Sequence, residues 1–396
     1  MRSVLGRSAS ASVLLVAVIA ASAVLTGGCS AEDGPDGAVV KIGVHTSLTG
    51  GLAEAGADAL AALELAAQDF SGFEVDGITY DIELVIADDR SDPSEAPVAA
   101  QELVDAGVVG VIGALTSGST GAALPLYELE EVPLISGSAT MAALTDAGFE
   151  NFFRTCLRDD LQGRALAEWV IELGFRKAVI IDNGTDYSVS LADQVQMQLG
   201  EGRVVEIARL EGEVGDEDFA ADYTVQVGEV ASFEPDVVVF TGYSREGGIL
   251  RSQLVDAGLG GIQFMGGDGI RVDEIATAVA RAEDAEGLLA TYGGLSAEQM
   301  PGYAEFAERF EQYAGAPPAP YAETHYDALG ALVQAIVDAQ SFEGPDIVAA
   351  LREVRHEGVS GTVGFNAQGD VVIPGEAETR LIPRYRFDGQ TWALLR

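Results

Sequence analysis

The chain has 396 residues, 48% of them hydrophobic, and a formal net charge of −41 from 63 acidic against 22 basic residues. That length suffices for two domains with sizeable cores. The dispersed negative charge excludes polyanionic partners, nucleic acid and anionic headgroups above all. Cys29 and Cys156 are the two cysteines and His45, His325 and His356 the three histidines. No disulfide framework is therefore expected, and no metal-ligand spacing occurs. Cys156 reads as a buried, inert thiol.

In chain order, the first segment is an export signal. Arg2 and Arg7 open it, Ser8 to Thr26 carries no charge, and Gly27-Gly28 precede Cys29. Residues 1–28 read as a signal peptide. Cys29 sits as in a lipobox, the site where a bacterial lipoprotein is lipidated and cleaved, with Thr26 where that motif prefers Leu. The alternatives are a plain secretion signal and an uncleaved anchor, for which the run is barely long enough and rich in small residues. Residues 29–37 form a short polar tether.

From there β-branched runs alternate with helical stretches. Strands are predicted at Val39 to Val44, Tyr80 to Ala87, Val108 to Ile112 and Val132 to Ile135. A second set is predicted at Ala178 to Ile181, Val204 to Ala208, Val237 to Phe240 and Ile262 to Met265. Helices are predicted at Ala53 to Phe70, with Leu60, Leu63, Ala67 and Phe70 on one face, then near Ser94 to Ala106, Ser119 to Glu130 and Leu161 to Leu173. Further helices are predicted near Phe219 to Ser232, Arg245 to Ala257, Gln299 to Tyr313 and Ala322 to Ala339. Strands with few polar residues imply burial on both faces, hence an α/β fold of two doubly wound parallel-sheet lobes.

Ligands of open α/β sheets sit beyond the carboxyl ends of the strands. Three loops there stand out: Leu115 to Thr120, Ser136 to Thr140 and Met265 to Gly269. Hydroxyls at a helix start either cap the helix, the reading favoured for Ser119 and Thr120, or help form an anion site with free amides. Two such loops opposite the acidic Gly266-Gly267-Asp268-Gly269 loop suggest a receptor for a small zwitterion. Asp is also common in such Gly-rich turns for conformational reasons alone.

The segments Ile42-Gly43-Val44, Leu48-Thr49-Gly50, Asp88-Asp89, Asp92-Pro93, Val111-Ile112-Gly113 and Pro133-Leu134-Ile135-Ser136 occur in an order that resembles one known family. Phe153-Arg154-Thr155, Asp160-Leu161-Gln162-Gly163, Gln263-Phe264-Met265-Gly266 and Glu286-Gly287-Leu288-Leu289 continue it over about residues 38–370. The chain is similar to the periplasmic binding proteins of branched-chain amino acid ABC transporters, the type I Venus-flytrap fold. The resemblance implies that a ligand carboxylate docks at Ser117, Ser138, Ala139 and Thr140, with Ser138 acting mainly through its backbone. It implies that Asp268 binds the ligand ammonium and that Tyr187 and Tyr243 close over the ligand, although Tyr187 packing on the rim is the plain alternative. Ala55 stands where amino-acid binders often carry a ring, and Asp268 is one methylene shorter than the usual glutamate. Both departures imply a wider or differently tuned pocket.

The resemblance further implies lobe 1 at residues 38–155 plus 288–362 and lobe 2 at 156–287 plus 363–396, with three crossings as a hinge. The expected function is an extracytoplasmic substrate-binding lipoprotein, monomeric and without cofactor, that delivers a branched-chain or related amino acid to ABC permease subunits. The alternatives are a receptor of the same fold for amides, urea or aromatic acids, or a sensor for a signalling partner. No Gly-x-Ser-x-Gly elbow or phosphate-binding Gly-x-Gly-x-x-Gly motif supports an enzyme.

Overall fold

The computed structural model describes residues 38–202, 206–211, 222–373 and 382–395. The signal peptide, Cys29 and the tether lie outside them, as do Val204 and Val205 and residues 219–221 of two predicted elements. Among the described residues no helix is long and apolar enough to cross a membrane.

Six strands build the first sheet: β1 (Ala38–Thr46), β2 (Phe73–Val75), β3 (Ile78–Asp88), β4 (Val111–Gly113), β5 (Leu134–Ser136) and β6 (Phe152–Arg154). Their order is β2-β3-β1-β4-β5-β6, parallel except for β2. β1 and β3 run in register from Ala38 opposite Tyr80 to Thr46 opposite Asp88. Ile42, Val44, Ile112 and Ile135 pack on one face beneath the helix Ala322–Ala339 through Leu329, Leu332 and Ile336. Val111, Leu134 and Phe152 meet Leu103, Leu124 and Tyr127 on the other. Burial on both faces explains why β4, β5 and β6 lack polar alternation, whereas β3 is exposed or half-buried over most of its length and alternates Asp81 and Glu83 with Ile82 and Leu84.

The second sheet contains β7 (Lys177–Asp182), β8 (Glu206–Glu211), β9 (Val237–Phe240), β10 (Gln263–Gly266) and β11 (Leu289–Thr291), and a short hairpin of β12 (His356–Gly358) and β13 (Gly361–Val363) stands apart. β14 (Arg384–Phe387) and β15 (Trp392–Leu395) complete the second sheet in the order β15-β14-β11-β10-β9-β7-β8. The pairs from β8 to β11 are parallel, while β14 runs antiparallel to both β11 and β15. Ile180, Val237, Val239 and Met265 face Leu166, Val170, Leu191 and Val195, whereas Val179, Ile181, Val238 and Phe240 face Leu250 and Leu254. The result is two doubly wound lobes, as expected.

Two of the expected lobe boundaries are corrected. β11 pairs with β10 and β14, so the second crossing lies beyond Thr291 rather than at 288. The segment after 363 does not pass directly to the second sheet. Gly369 accepts from the Arg154 amide at 2.9 Å, Asp370 bridges to Arg154, and Phe365 packs on Phe153 with ring centroids 5.0 Å apart. The first lobe thus retains this turn because the buried Arg154 needs the Asp370 carboxylate, 2.9 Å from its Nε. Cys156 is buried and free, and burial pushes its thiol up to about 12, which fits an inert side chain.

Candidate functional site

A cavity of about 360 Å³ lies between the two lobes, and Ser117, Ser138, Tyr187, Tyr243, Asp268 and Tyr321 contribute to its wall. Loops beyond the strand ends build it. Asp88, at the end of β3, accepts from the Leu48 amide at 2.8 Å and from the Thr49 hydroxyl at 2.7 Å. This fixes the loop that carries Gly51 and Leu52 to the cavity.

One wall is the start of the helix Ser117–Leu129. Thr116, in extended conformation, accepts from the Ser119 amide at 3.1 Å and is the cap, a role that sequence reading assigned to Ser119 or Thr120. The Ser117 and Gly118 amides lie in the first turn, where no intrahelical acceptor exists. Ser117 Oγ accepts from the Met141 amide at 3.2 Å, and Ser138 Oγ donates to the Leu115 carbonyl at 2.6 Å. The Ser138 hydroxyl is therefore engaged, as a backbone role requires.

Ala139 and Thr140 are buried and do not reach the cavity surface. The Ala139 amide donates to Ser136 Oγ at 3.0 Å, and its carbonyl accepts from Arg154 at 3.0 Å. The same guanidinium donates to the Met141 carbonyl and to Thr145 Oγ1, so Arg154 holds the whole loop. The Thr140 carbonyl accepts from the Asp159 amide at 2.9 Å.

The opposite wall is the turn after β10. Asp268 Oδ1 accepts from Tyr187 OH at 2.9 Å and Oδ2 from Tyr321 OH at 2.8 Å. Burial raises the Asp268 carboxyl above the ordinary carboxylate range, and the two phenols counter this only in part. Tyr187 OH also accepts from the Gly269 amide at 3.1 Å, and its ring stacks on Tyr243 with centroids 5.3 Å apart. The glycines beside Asp268 are required by space. A Cβ on Gly269 would lie 2.5 Å from the Gly242 carbonyl oxygen, and one on Gly267 2.7 Å from Tyr187 OH. The Gly-rich turn therefore serves the packing of Asp268 under its phenols.

Two further residues, Tyr321 and His325, line the cavity, and Asp159 lies buried behind it. Asp159, fully buried at the start of the helix Asp159–Glu172, is pushed up to about 7 by burial and then by the charge of Asp268; the Thr140 and Ser190 hydroxyls oppose this. Tyr321 holds the αL conformation at φ +73°, strained for a side chain of this size, and precedes the helix Ala322–Ala339. His325 lines the cavity, donates from Nδ1 to the Tyr321 carbonyl at 2.7 Å, and burial lowers it to about 4. The neighbouring Asp160 in the Asp160-Leu161-Gln162-Gly163 motif was the available signal for Asp159. Tyr321 gave none, standing after Pro317-Pro318-Ala319-Pro320 between two predicted helices.

Leu52, Ala55, Val272 and Pro320 form an apolar part of the remaining wall, and Glu54, Arg245 and Glu274 bring charge to the rest. Among the described residues no cluster of His, Cys, Asp and Glu is arranged to hold a metal. The arrangement thus offers amides and a hydroxyl on one side, a phenol-clamped carboxylate on the other, and an apolar space for an organic side chain.

Residues 39–373 match the family described as periplasmic binding protein. The Leu/Ile/Val-binding protein homolog 1 of Brucella suis is 31% identical over 339 residues, covering 85% of this chain and 88% of the relative. A leucine binding protein from Thermotoga maritima superposes with a TM-score of 0.80 at 27% identity, over 90% of this chain and 98% of that one. The branched-chain amino acid transporter substrate binding protein of Streptococcus pneumoniae, in complex with isoleucine, gives 0.77 at 26% identity over the same shares.

Proposed function

The chain belongs to the periplasmic binding protein family, and from that premise we propose that it is the exported substrate-binding component of an ABC importer for a branched-chain or related amino acid. One observation carries the ligand assignment. The buried Asp268 carboxylate faces the cavity in the grip of two phenols and, among the described residues, forms no salt bridge, across from a helix start with free amides. An α-amino acid brings the two missing charges. Its carboxylate would sit at the Ser117 amide and hydroxyl and the Ser138 backbone, with Ala139 and Thr140 shaping the loop behind. Its ammonium would meet Asp268, and Asp159 behind it would add to the negative potential. Tyr187 and Tyr243 would cover the ligand, and its side chain would lie against Leu52, Ala55, Val272 and Pro320. Amides and urea would offer Asp268 only neutral donors and aromatic acids a like charge, so the buried carboxylate would gain no counter-charge, which disfavours those ligands.

Around this site, residues 1–28 act as a signal peptide, and lipidated Cys29 tethers a monomeric receptor to the outer face of the cytoplasmic membrane beside its permease. Calorimetry of the full chain with leucine, isoleucine and valine tests the reading. Binding of at least one, lost in Asp268→Ala, is expected; no binding of any aliphatic amino acid overturns it. Cys29→Ser is expected to release the protein from membranes.

A further inference from the structure

A second cavity, of about 270 Å³, lies at the lobe junction and shares Ala319 and Pro320 with the first. Its chemistry is unlike that of a packing defect. Arg271, Glu323, Tyr292, Tyr303, Tyr385 and Trp392 line it. The Arg271 guanidinium carbon stacks 4.7 Å from the Tyr292 ring centroid and 4.2 Å from that of Tyr385. Its Nε is buried without a hydrogen bond, and among the described residues no carboxylate comes within 4.0 Å of it.

Glu323 is 3% exposed and accepts one side-chain hydrogen bond, from Tyr292 OH at 2.8 Å. Burial pushes its carboxyl up to about 7, against the weaker opposing pull of Tyr292 and Arg271. A guanidinium and a carboxylate on one low-dielectric cavity ordinarily join in a bidentate pair. Here the rings of Tyr292 and Tyr385 clamp the guanidinium, and the helix Ala322–Ala339 fixes the carboxylate. Glu298 lies on the same lining, and among the described residues no salt bridge joins Arg271 to Glu323.

We propose that this second cavity is a binding site for a small zwitterion, its anionic group on Arg271 and its cationic group on Glu323, coupled to the first site through Tyr292 and Tyr321. The volume lies just below the roughly 300 Å³ at which sites for drug-sized ligands begin, so the occupant is of amino-acid size. Tyr303 and Trp392 supply aromatic surface for its apolar part. The coupling route is continuous. Tyr292 OH donates to Glu323 and accepts from the Tyr321 amide at 2.7 Å, and Tyr321 OH donates to Asp268 at 2.8 Å. A cation that claims Glu323 changes the acceptor available to Tyr292, and with it the seat of the strained Tyr321.

The test uses Trp392. The chain has two tryptophans, so Trp169→Phe in the full chain leaves Trp392 as the sole indole reporter. The zwitterionic probes are glycine, alanine, leucine and phenylalanine. Isoamylamine and 4-methylvalerate, each carrying one of leucine's two charges, are the controls. A saturable change in Trp392 emission is expected with at least one zwitterion and with neither control. It should persist in Asp268→Asn, which disables the first site, and weaken at least about tenfold in both Glu323→Gln and Arg271→Lys, a loss equivalent to about 1.4 kcal/mol. Persistence in Asp268→Asn also separates this site from the first, whose ligand reading stands or falls by calorimetry. Absence of any response at about 10 mM probe, where even a Kd near 1 mM would be close to saturated, overturns the proposal. So does a response abolished by Asp268→Asn but untouched by Glu323→Gln and Arg271→Lys. Far-ultraviolet circular dichroism identifies any variant that fails to fold, and the remaining one of the pair then decides.

Discussion

The two walls of the first cavity meet opposite charges by different means. The wall beyond the first sheet uses neutral groups: helix amides, the Ser117 hydroxyl and a loop pinned from behind by Arg154. The wall beyond the second sheet uses one ionisable carboxylate, wedged between Tyr187 and Tyr321 in a setting that raises its proton affinity. A distributed, uncharged anion site loses little when one member is removed and does not titrate. A single buried carboxylate concentrates both the binding energy and the pH response.

The sharpest way to break that contrast is Asp268→Ala. Ligand affinity is expected to fall by about 3–5 kcal/mol, more than a hundredfold, because a desolvated ammonium loses its counter-charge; calorimetry reads it. The next largest effect concerns Asp159. Its folded-state value of about 7 lies above the ordinary 3.8, so the folded protein holds more protons than the unfolded chain between those limits. The ligand-free protein therefore loses stability from this group as pH rises from about 4 to 7. Asp159→Asn, which cannot ionise, is expected to match the parent near pH 4 and exceed it by about 2–4 kcal/mol at pH 8, at about 1.4 kcal/mol per pH unit of the difference. A denaturant series at both pH values checks the sign.

On the neutral wall the effects shrink. Ser117→Ala should weaken binding by about 1 kcal/mol, one hydrogen bond among several, with no pH dependence. Ser138→Ala should change affinity by less than about 0.5 kcal/mol, since its hydroxyl already donates to the Leu115 carbonyl; the loss appears instead as about 1 kcal/mol of stability. If Ser138→Ala costs as much affinity as Asp268→Ala, the division between the walls is wrong.

The sequence pattern made the long apolar elements plain and the short or junctional ones obscure. The helices Ala53–Phe70 and Ala322–Ala339 fall on the expected residues because their buried faces repeat every three to four positions. The helix Asp186–Gly202 carried the same signal in Tyr187, Leu191, Val195 and Leu199, yet went unread among its polar neighbours. β11 is three residues long and gives a boundary no periodicity to stand on. In the site, post-strand loops pointed to Ser117, Ser138 and Asp268. Asp159 could not be told from Asp160 in one dimension, although the first is buried and the second exposed enough to pair with Arg158. Tyr321 meets Asp268 across 53 residues of chain, a contact only the fold creates.

The interleaving of the two lobes also sets a timetable. All strands of the first sheet are made by Arg154, but the helix Ala322–Ala339 that covers one of its faces follows more than 150 residues later. The second sheet waits longer, because β11 gains its antiparallel neighbour only with β14, near the end of the chain. At about 5–20 residues per second, a nascent chain spends many seconds with both cores open. The first lobe cannot lock into its final form before the turn at Asp370 emerges, nor the second before β14 and β15. A polypeptide that must be threaded across a membrane before it folds is well served by that delay.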